Sequence, residues 1–246
     1  IIETLAEDDE GYRLSDLAIR TGLSTSTVHR LLGTLENRRF VQFDRTESKW
    51  HVGARAFTVG ATFARRRNFS AQAVPYLRKL RDLTRETANL AVVDDEFIIV
   101  LTRMESREIM RSLTKVGGRV AMVASGVGKA VLATYSDADV NAIICRQGMP
   151  RLTEKSIVRP GELFRELQTI RRQGYAVDDE EARMGLRCVA AVVYNDCSEP
   201  LAAISVSGMT SRVTEERVPD LGRTVCEVAA ELTVALGGVM PEAKSS

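Results

Sequence analysis

The stretch Ser24–Phe40, STSTVHRLLGTLENRRF, opens with four consecutive hydroxyl side chains and runs on as an amphipathic helix. Val28, Leu31, Leu32 and Leu35 recur at i, i+3, i+4 and i+7, which places them on one face. Thr25, Ser26, His29, Arg30 and Thr34 fall on the other. A single hydroxyl at the N-cap, here Ser24, is enough to hold a free amide of the first turn. Thr25, Ser26 and Thr27 are therefore surplus to capping, and they stand beside His29 and Arg30 at the front of the helix.

The residues on either side extend the pattern. Upstream, Leu14, Leu17 and Ala18 recur at helical spacing, with Ser15 as the expected N-cap. Thr21-Gly22 ends that helix, because Gly tolerates the left-handed conformation at C′, and Leu23 plugs the turn. Ile1, Ile2 and Leu5 belong to an earlier helix stopped by the acidic EDDEG. Two helices joined by a short Gly-containing turn make a helix-turn-helix. Downstream, FVQFD and WHV have strand character around a turn at RTESK, which adds a wing with Arg45 and Lys49 at or beside its tip.

Charge supports the same reading. From Arg13 to Arg67 there are 11 Lys and Arg against 4 Asp and Glu, whereas the chain from Asn68 on carries 23 against 24. A basic segment on a neutral body points to a polyanion. A recognition helix sets its N-terminal residues against base edges in the major groove. Arg reads guanine bidentately there, and Ser or Thr serve bases or phosphates. The candidate contacts with double-stranded DNA are Ser24, Thr25, Ser26, Thr27, His29, Arg30, Arg45 and Lys49.

Other classes are excluded by what the chain lacks. The cysteines, Cys145, Cys188, Cys197 and Cys226, are scattered without a CxxC, which points to a reducing compartment and against a disulfide framework. His29 and His51 are the only histidines, so a His-rich metal site is excluded from the last three quarters, and no cofactor is expected. No apolar run approaches the roughly 18 residues of a membrane span, and no secretory h-region is present, so a cytoplasmic location without a membrane partner is expected. The first residue is Ile1 rather than Met, and some preceding residues are expected to be missing.

From Arg55 to Leu83 the pattern is helical, weakened at Gly60, with Pro75 expected to restart it. Arg65 to Arg67 read either as a solvated face or as a contact with the DNA backbone. Beyond this, NLAVVDDEFIIVLTRME reads as a hairpin turning at Asp94-Asp95-Glu96, and EIMRSLTKVGGRV as a strand with a Gly-Gly turn. SGVGKAVLATY begins a helix whose opening amides suit an anion. It is not a Walker A loop: Ala130 follows Gly128-Lys129, and Val123 stands where the first Gly is required. RPGELFRELQTIRRQGYAVDDEE gives a helix, a Gly174 stop, a strand and an acidic cluster from Asp178 to Glu181. GLRCVAAVVYND and EPLAAISVSG are apolar strands, with Ser205 and Ser207 pointing the same way at period 2. A final helix closes the chain. The elements lack βαβ regularity, so an α+β fold with an antiparallel sheet and flanking helices is expected.

The motifs SGVGKAVLA, RRQGYAVDDEE, GLRCVAAVVYND and PLAAISVSG, in this order behind a winged helix, resemble the IclR family of bacterial transcriptional regulators over essentially the whole chain. The resemblance implies a winged helix-turn-helix in residues 1–54, a linker helix in 55–72, and a GAF-like effector-binding and oligomerisation domain in 73–246. It implies a homodimer or homotetramer on operator DNA, with a small organic acid or related metabolite as effector and repression as the expected output. Carried over position by position, the effector site comprises Gly126, Val127, Asp178, Cys188, Ser205 and Ser207, with an apolar wall at Ile109, Ser112 and Val120. Ser112 departs from the bulky apolar residue of the glyoxylate- and pyruvate-responsive members, which implies a larger or more polar pocket.

The chemistry of these residues agrees, since amides and serine hydroxyls can donate to a carboxylate. Asp178 cannot favour a carboxylate directly, so it accepts from a hydroxyl or orients a neighbour. Each residue also has a plainer reading: Cys188 as a core thiol, the serines as sheet hydrogen bonders, Asp178 as a cap or a partner of Arg183. An enzyme with Cys188 as nucleophile lacks a base near it, since both histidines lie in the DNA-binding region. A DNA-binding oligomer without a working pocket is the alternative to an effector-controlled regulator.

Overall fold

Tyr12 and Trp50 exchange a pair of backbone hydrogen bonds, 3.1 and 2.8 Å long, and this bridge pins the N-terminal helices to the wing. The computed structural model describes residues 1–66, 69–95, 97–106 and 116–241. The chain divides into two compact units, Ile1–Asn68 and Phe69–Ser246.

The first unit contains α1 (Ile2–Ala6), α2 (Leu14–Thr21), α3 (Thr25–Asn37), the hairpin β1 (Val41–Asp44) and β2 (Lys49–Val52), and α4 (Ala54–Arg66). Leu5, Leu17, Val28, Leu32, Val41 and Trp50 form its buried core. α2 starts as soon as the Tyr12 bridge ends. Its N-cap is Arg13, without a side-chain bond, and Ser15 lies inside the first turn bonded to Asp16 rather than capping as expected. Gly22 closes α2 at φ 67. Leu31, expected on the apolar face of α3, lies at its outer edge and is 39% exposed. The hairpin pairs Val41 with Val52 through Asp44 with Lys49. Asp44 Oδ1 folds the tip by accepting the amides of Thr46 (2.7 Å) and Glu47 (3.1 Å).

Among the described residues the second unit is built on a six-stranded antiparallel sheet of order β5-β4-β3-β8-β7-β6. The strands are β3 (Thr87–Asp94), β4 (Phe97–Met104), β5 (Arg119–Ala121), β6 (Ala176–Asp179), β7 (Leu186–Tyr194) and β8 (Pro200–Met209). α5 (Phe69–Thr84) and α9 (Val218–Ala235) cover one face, packing Leu77, Leu80, Val228 and Leu232 on Leu90, Val189 and Ile204. α6 (Gly126–Leu132), α7 (Asp137–Gln147) and α8 (Pro160–Gln173) cover the other, with Val131, Leu163 and Leu167 against Ile98, Ala190 and Val192. Alternate residues of β7 thus enter opposite cores, which is why its sequence reads as a continuous apolar run.

Pro75 does not restart a helix; it lies inside α5. The carbonyl it leaves without a helical donor is that of Ala71, and both residues are exposed, so water can serve it. α7 has no counterpart in the sequence reading, although Ser136 accepts the Asp139 amide at 3.2 Å and donates to the Asp139 carboxylate at 2.6 Å, a reciprocal cap. The segment expected as a linker, 55–72, is spanned by α4 and the first turn of α5. The strand expected before the Gly117 turn, with Ile109 and Ser112, lies outside the described residues, as do Arg67 and the side chains of Arg65 and Arg66.

α6 is locked in place by two contacts. A Cβ on Gly128 would stand 2.1 Å from the Met122 carbonyl oxygen, so the backbones approach too closely for any other residue. Lys129 is fully buried, with its ammonium on Glu181 Oε1 and 3.4 Å from Glu166 Oε1. It ties the helix to the turn after β6 and to α8. Removing one partner of a buried pair strands the other charge, at a cost of about 3–5 kcal/mol, whereas replacing both with apolar groups is often close to neutral. Urea unfolding is therefore expected to show a large loss for Lys129→Met and recovery in Lys129→Met/Glu181→Leu. An equal loss in both variants would rule out the stranded carboxylate as the cause.

Candidate functional site

In the first unit the four hydroxyls of Ser24–Thr27 separate into two roles. The Ser24 hydroxyl accepts the Thr27 amide at 3.2 Å, and its oxygen lies 3.0 Å from Ser26 Oγ and 2.9 Å from Thr27 Oγ1. Three hydroxyls therefore form the cap cluster, and Thr27 is half-buried within it. Thr25 stays outside that cluster. Thr25, Ser26, His29 and Arg30 are exposed along the first two turns of α3. The first turn carries no acidic residue, so the positive end of the helix dipole is uncompensated. His29 and Arg45 line a groove between α3 and the wing, together with Arg13, which sequence reasoning missed. Arg45 is exposed, whereas Lys49 pairs with Glu47 at 3.2 Å.

The second unit holds a cavity of about 280 Å³ on the α6 side of the sheet. Strand register builds its floor. At one level Thr87, Ser207, Cys188 and Asp178 stand side by side on β3, β8, β7 and β6. At the next level Arg103, Asn89, Ser205 and Ala190 are aligned across β4, β3, β8 and β7. Directly opposed residues of an antiparallel pair share a face, so both rows face the same way. Ala91, Ile98, Val100 and Val120 continue the floor with apolar surface. Asn89 Nδ2 reaches Ser205 Oγ and Ser207 Oγ, each at 3.4 Å.

The N-terminus of α6 forms the opposite wall. Ser125 caps the helix by accepting the Gly128 amide at 3.0 Å, so one of the opening amides expected for an anion is already engaged. The amides of Gly126 and Val127, first in the helix, have no intrahelical acceptor. A Cβ on Gly126 would lie 3.3 Å from Cys188 Sγ and 3.4 Å from the Asp178 backbone nitrogen, so this glycine lets the helix end sit down on β6 and β7.

Asp178 caps a turn rather than pairing with Arg183. Its Oδ1 accepts the amides of Glu181 (2.8 Å) and Ala182 (3.2 Å). Burial, and then the Glu181 carboxylate, push its pKa up to about 6, against the opposing pull of those amides and Lys129. Burial and the nearby Asp178 carboxylate push the Cys188 thiol up to about 11 despite hydrogen bonds from Ser207 and Ser205. Cys188 is thus a neutral thiol rather than a thiolate.

Gly126, Val127, Val120, Asp178, Cys188, Ser205 and Ser207 all line this one cavity. Ile109 lies outside the described residues. Sequence reading missed Thr87, Asn89, Arg103, Arg119 and Arg183, which line it too. Period-2 alternation from Thr87 to Ala91 was the available signal for the first two; the arginines carry none. Among the described residues no three or more His, Cys, Asp or Glu are arranged to hold a metal, and no helix is long and apolar enough to cross a membrane.

Residues 1–45 match the IclR helix-turn-helix domain, and residues 61–234 match the family described as bacterial transcriptional regulator IclR C-terminal. The chain is 41% identical over 240 residues to the acetate operon repressor of Salmonella typhimurium, covering 97% of this chain and 88% of that protein. It is 40% identical over 241 residues to the transcriptional repressor IclR of Escherichia coli K12, with the same coverages of 97% and 88%. In structure it is similar to an IclR transcriptional regulator from Alicyclobacillus acidocaldarius, with a TM-score of 0.81, 26% identity and 96% of both chains covered.

The raised pKa of Asp178 predicts a specific pH dependence. The folded protein holds this proton more tightly than the unfolded chain, so the contribution to stability is full below the ordinary carboxylate pKa and is lost as pH rises through about 6. Asp178→Asn keeps an acceptor for the two amides and removes the titration. Unfolding free energies from urea titrations between pH 4 and 7 are expected to fall for the natural protein relative to this variant, by up to about 3 kcal/mol. Parallel curves would mean that Asp178 titrates normally.

Proposed function

The chain belongs to the IclR family of bacterial transcriptional regulators, and from that premise we propose how this DNA-binding regulator is controlled: it is a repressor whose hold on operator DNA is set by a small organic acid in the second unit. α3 enters the major groove with Thr25, Ser26, His29 and Arg30 toward base edges, while the Ser24 and Thr27 hydroxyls hold the helix end against a phosphate. Arg45, and Lys49 beside its Glu47 partner, reach the neighbouring backbone or minor groove from the wing. Two copies of the helix on two half-sites require a homodimer, or a homotetramer built from it. The place of action is the cytoplasm.

The observation that carries the effector reading is the pair of polar rows on a sheet otherwise buried on both faces. Hydroxyls, amides and a helix N-terminus converge there on one cavity, and a carboxylate satisfies them together. Ser205, Ser207 and the Gly126 and Val127 amides donate to the acid, and the apolar floor holds its carbon chain. With its pKa near 6, Asp178 takes up a proton as the anion arrives and then donates as well. Turnover is not part of this reading, because burial and the adjacent Asp178 carboxylate hold Cys188 as a thiol rather than a thiolate.

The effector shifts DNA binding only by its differential affinity for two states, on the order of 1–3 kcal/mol. Gel shifts on the intergenic DNA upstream of the coding sequence, run with and without short organic acids, test the reading. Arg30→Ala is expected to weaken operator binding by about 1–3 kcal/mol. Unchanged affinity removes Arg30 from the contact set. Ser207→Ala is expected to lose the response to acid and keep operator affinity; equal loss of both makes Ser207 structural. In thermal unfolding, an acid at 100 times its Kd is expected to add about 2.7 kcal/mol. No shift with any acid leaves a DNA-binding oligomer without a working cavity.

A further inference from the structure

Gly33 lies in the interior of the 13-residue helix α3. A glycine there lowers the folding equilibrium about fivefold relative to alanine. The fold gives no return for it. Gly33 is not among the glycines with a left-handed backbone, and a Cβ on it would meet no atom of the described residues within 4 Å. Gly53 in the same unit is the contrast, since a Cβ there would stand 2.3 Å from the Arg39 carbonyl oxygen. The fold requires Gly53 and does not require Gly33.

The surroundings of Gly33 show what the missing side chain leaves room for. His29, Gly33 and Glu36 form one stripe of α3, at i, i+4 and i+7. That stripe lines a groove of about 690 Å³, together with Arg13 at the start of α2 and Phe43 and Arg45 on the wing. Arg13, His29 and Arg45 are all exposed. Among the described residues the lining holds one carboxylate, that of Glu36, which lies about 10 Å along the helix axis from His29. Duplex geometry supplies a guest for such a groove. The major groove and the minor groove beside it are separated by a single phosphodiester strand. A protein that sets a helix in the first and reaches past its edge with a wing must let that strand pass between the two. A side chain on the helix at the point of passage holds the strand off, and a glycine does not.

We propose that the sugar-phosphate strand of operator DNA lies across Gly33, with a phosphate held by Arg13 and Arg45, so that this glycine sets how closely α3 enters the major groove. This rests on the reading in which α3 is the helix that enters that groove, and it adds Gly33 and Arg13 as positioning residues. Their contacts carry no sequence information themselves. Depth of entry decides whether Arg30 and its neighbours reach base edges.

The test separates stability from DNA affinity. Trp50 is the single tryptophan of the chain and belongs to the core of this unit, so its fluorescence reports the unit's unfolding in the intact protein. Gly33→Ala is expected to raise the urea midpoint of that signal. In gel shifts on the intergenic DNA upstream of the coding sequence, the same variant is expected to bind about ten- to a hundredfold more weakly, as a methyl group forced into a packed contact warrants. Its slope of log affinity against log salt is expected to fall by about one, the mark of one lost phosphate contact. Arg13→Gln is expected to lower the slope by the same amount and to weaken binding to this DNA and to random duplex alike. Unchanged affinity in Gly33→Ala, or weaker binding with the salt slope intact, overturns the proposal. So does an unchanged slope in Arg13→Gln, or a lower urea midpoint in Gly33→Ala, which would make the glycine a requirement of the fold. In each of these cases weaker binding by Arg30→Ala leaves α3 as the reading helix. If Arg30→Ala binds like the natural protein as well, that reading falls together with the proposal.

Discussion

A sheet covered by helices on both faces has no water to offer a polar side chain, so every polar group on it must find a partner within the fold or in a ligand. β7 and β8 meet this condition along most of their length: Val189, Ala191, Ile204 and Val206 enter one core, and Ala190, Val192 and Ala203 the other. Toward one end of the second face the pattern changes to Cys188, Ser205, Ser207, Thr87 and Asp178. There the helices leave a cavity in place of core. The position of the cavity thus follows from where the apolar alternation stops.

The elements around the cavity are held by an ion pair outside it and by two of its own lining residues, Asp178 and Gly126. Lys129 draws Glu181 and Glu166 onto α6, and Asp178 holds the amides of Glu181 and Ala182, so one short turn is fastened from both sides. Gly128 lets α6 start against Met122, and Gly126 lets it descend on Cys188. The SGVGK segment therefore resembles a phosphate loop in composition while using its lysine for an internal ion pair. A ligand that moves the helix end or titrates Asp178 acts on this same turn, which gives the cavity a mechanical route into the rest of the second unit.

Much of this was legible in the sequence, and the parts that were not have physical causes. α3, the wing, the hairpin of β3 and β4, and the apolar strands β7 and β8 announce themselves by periodicity, because each buries one or two regular faces. Ser15 misled because helix starts are set by what precedes them: the Tyr12–Trp50 bridge, a contact across 38 positions, fixes Arg13 as the cap. Pro75 misled because the carbonyl it leaves without a donor, that of Ala71, is exposed to water, so the helix continues through it. Of the four hydroxyls of Ser24–Thr27, three are spent on one another, a detail of distance that composition does not contain. The cavity residues named from the motifs came together, whereas Thr87, Asn89 and Arg103 entered through register, which no single segment encodes.

The central claim is that acid in the cavity and DNA on α3 are coupled through one protein. Linkage makes this measurable in both directions, since the factor by which acid changes operator affinity must equal the factor by which operator changes acid affinity. The direct test is titration of a binding acid into the free protein and into the protein saturated with operator, at one salt concentration. The account predicts weaker acid binding to the operator complex, by the same factor that the acid lowers operator affinity. Equal acid affinity in the two states would contradict it.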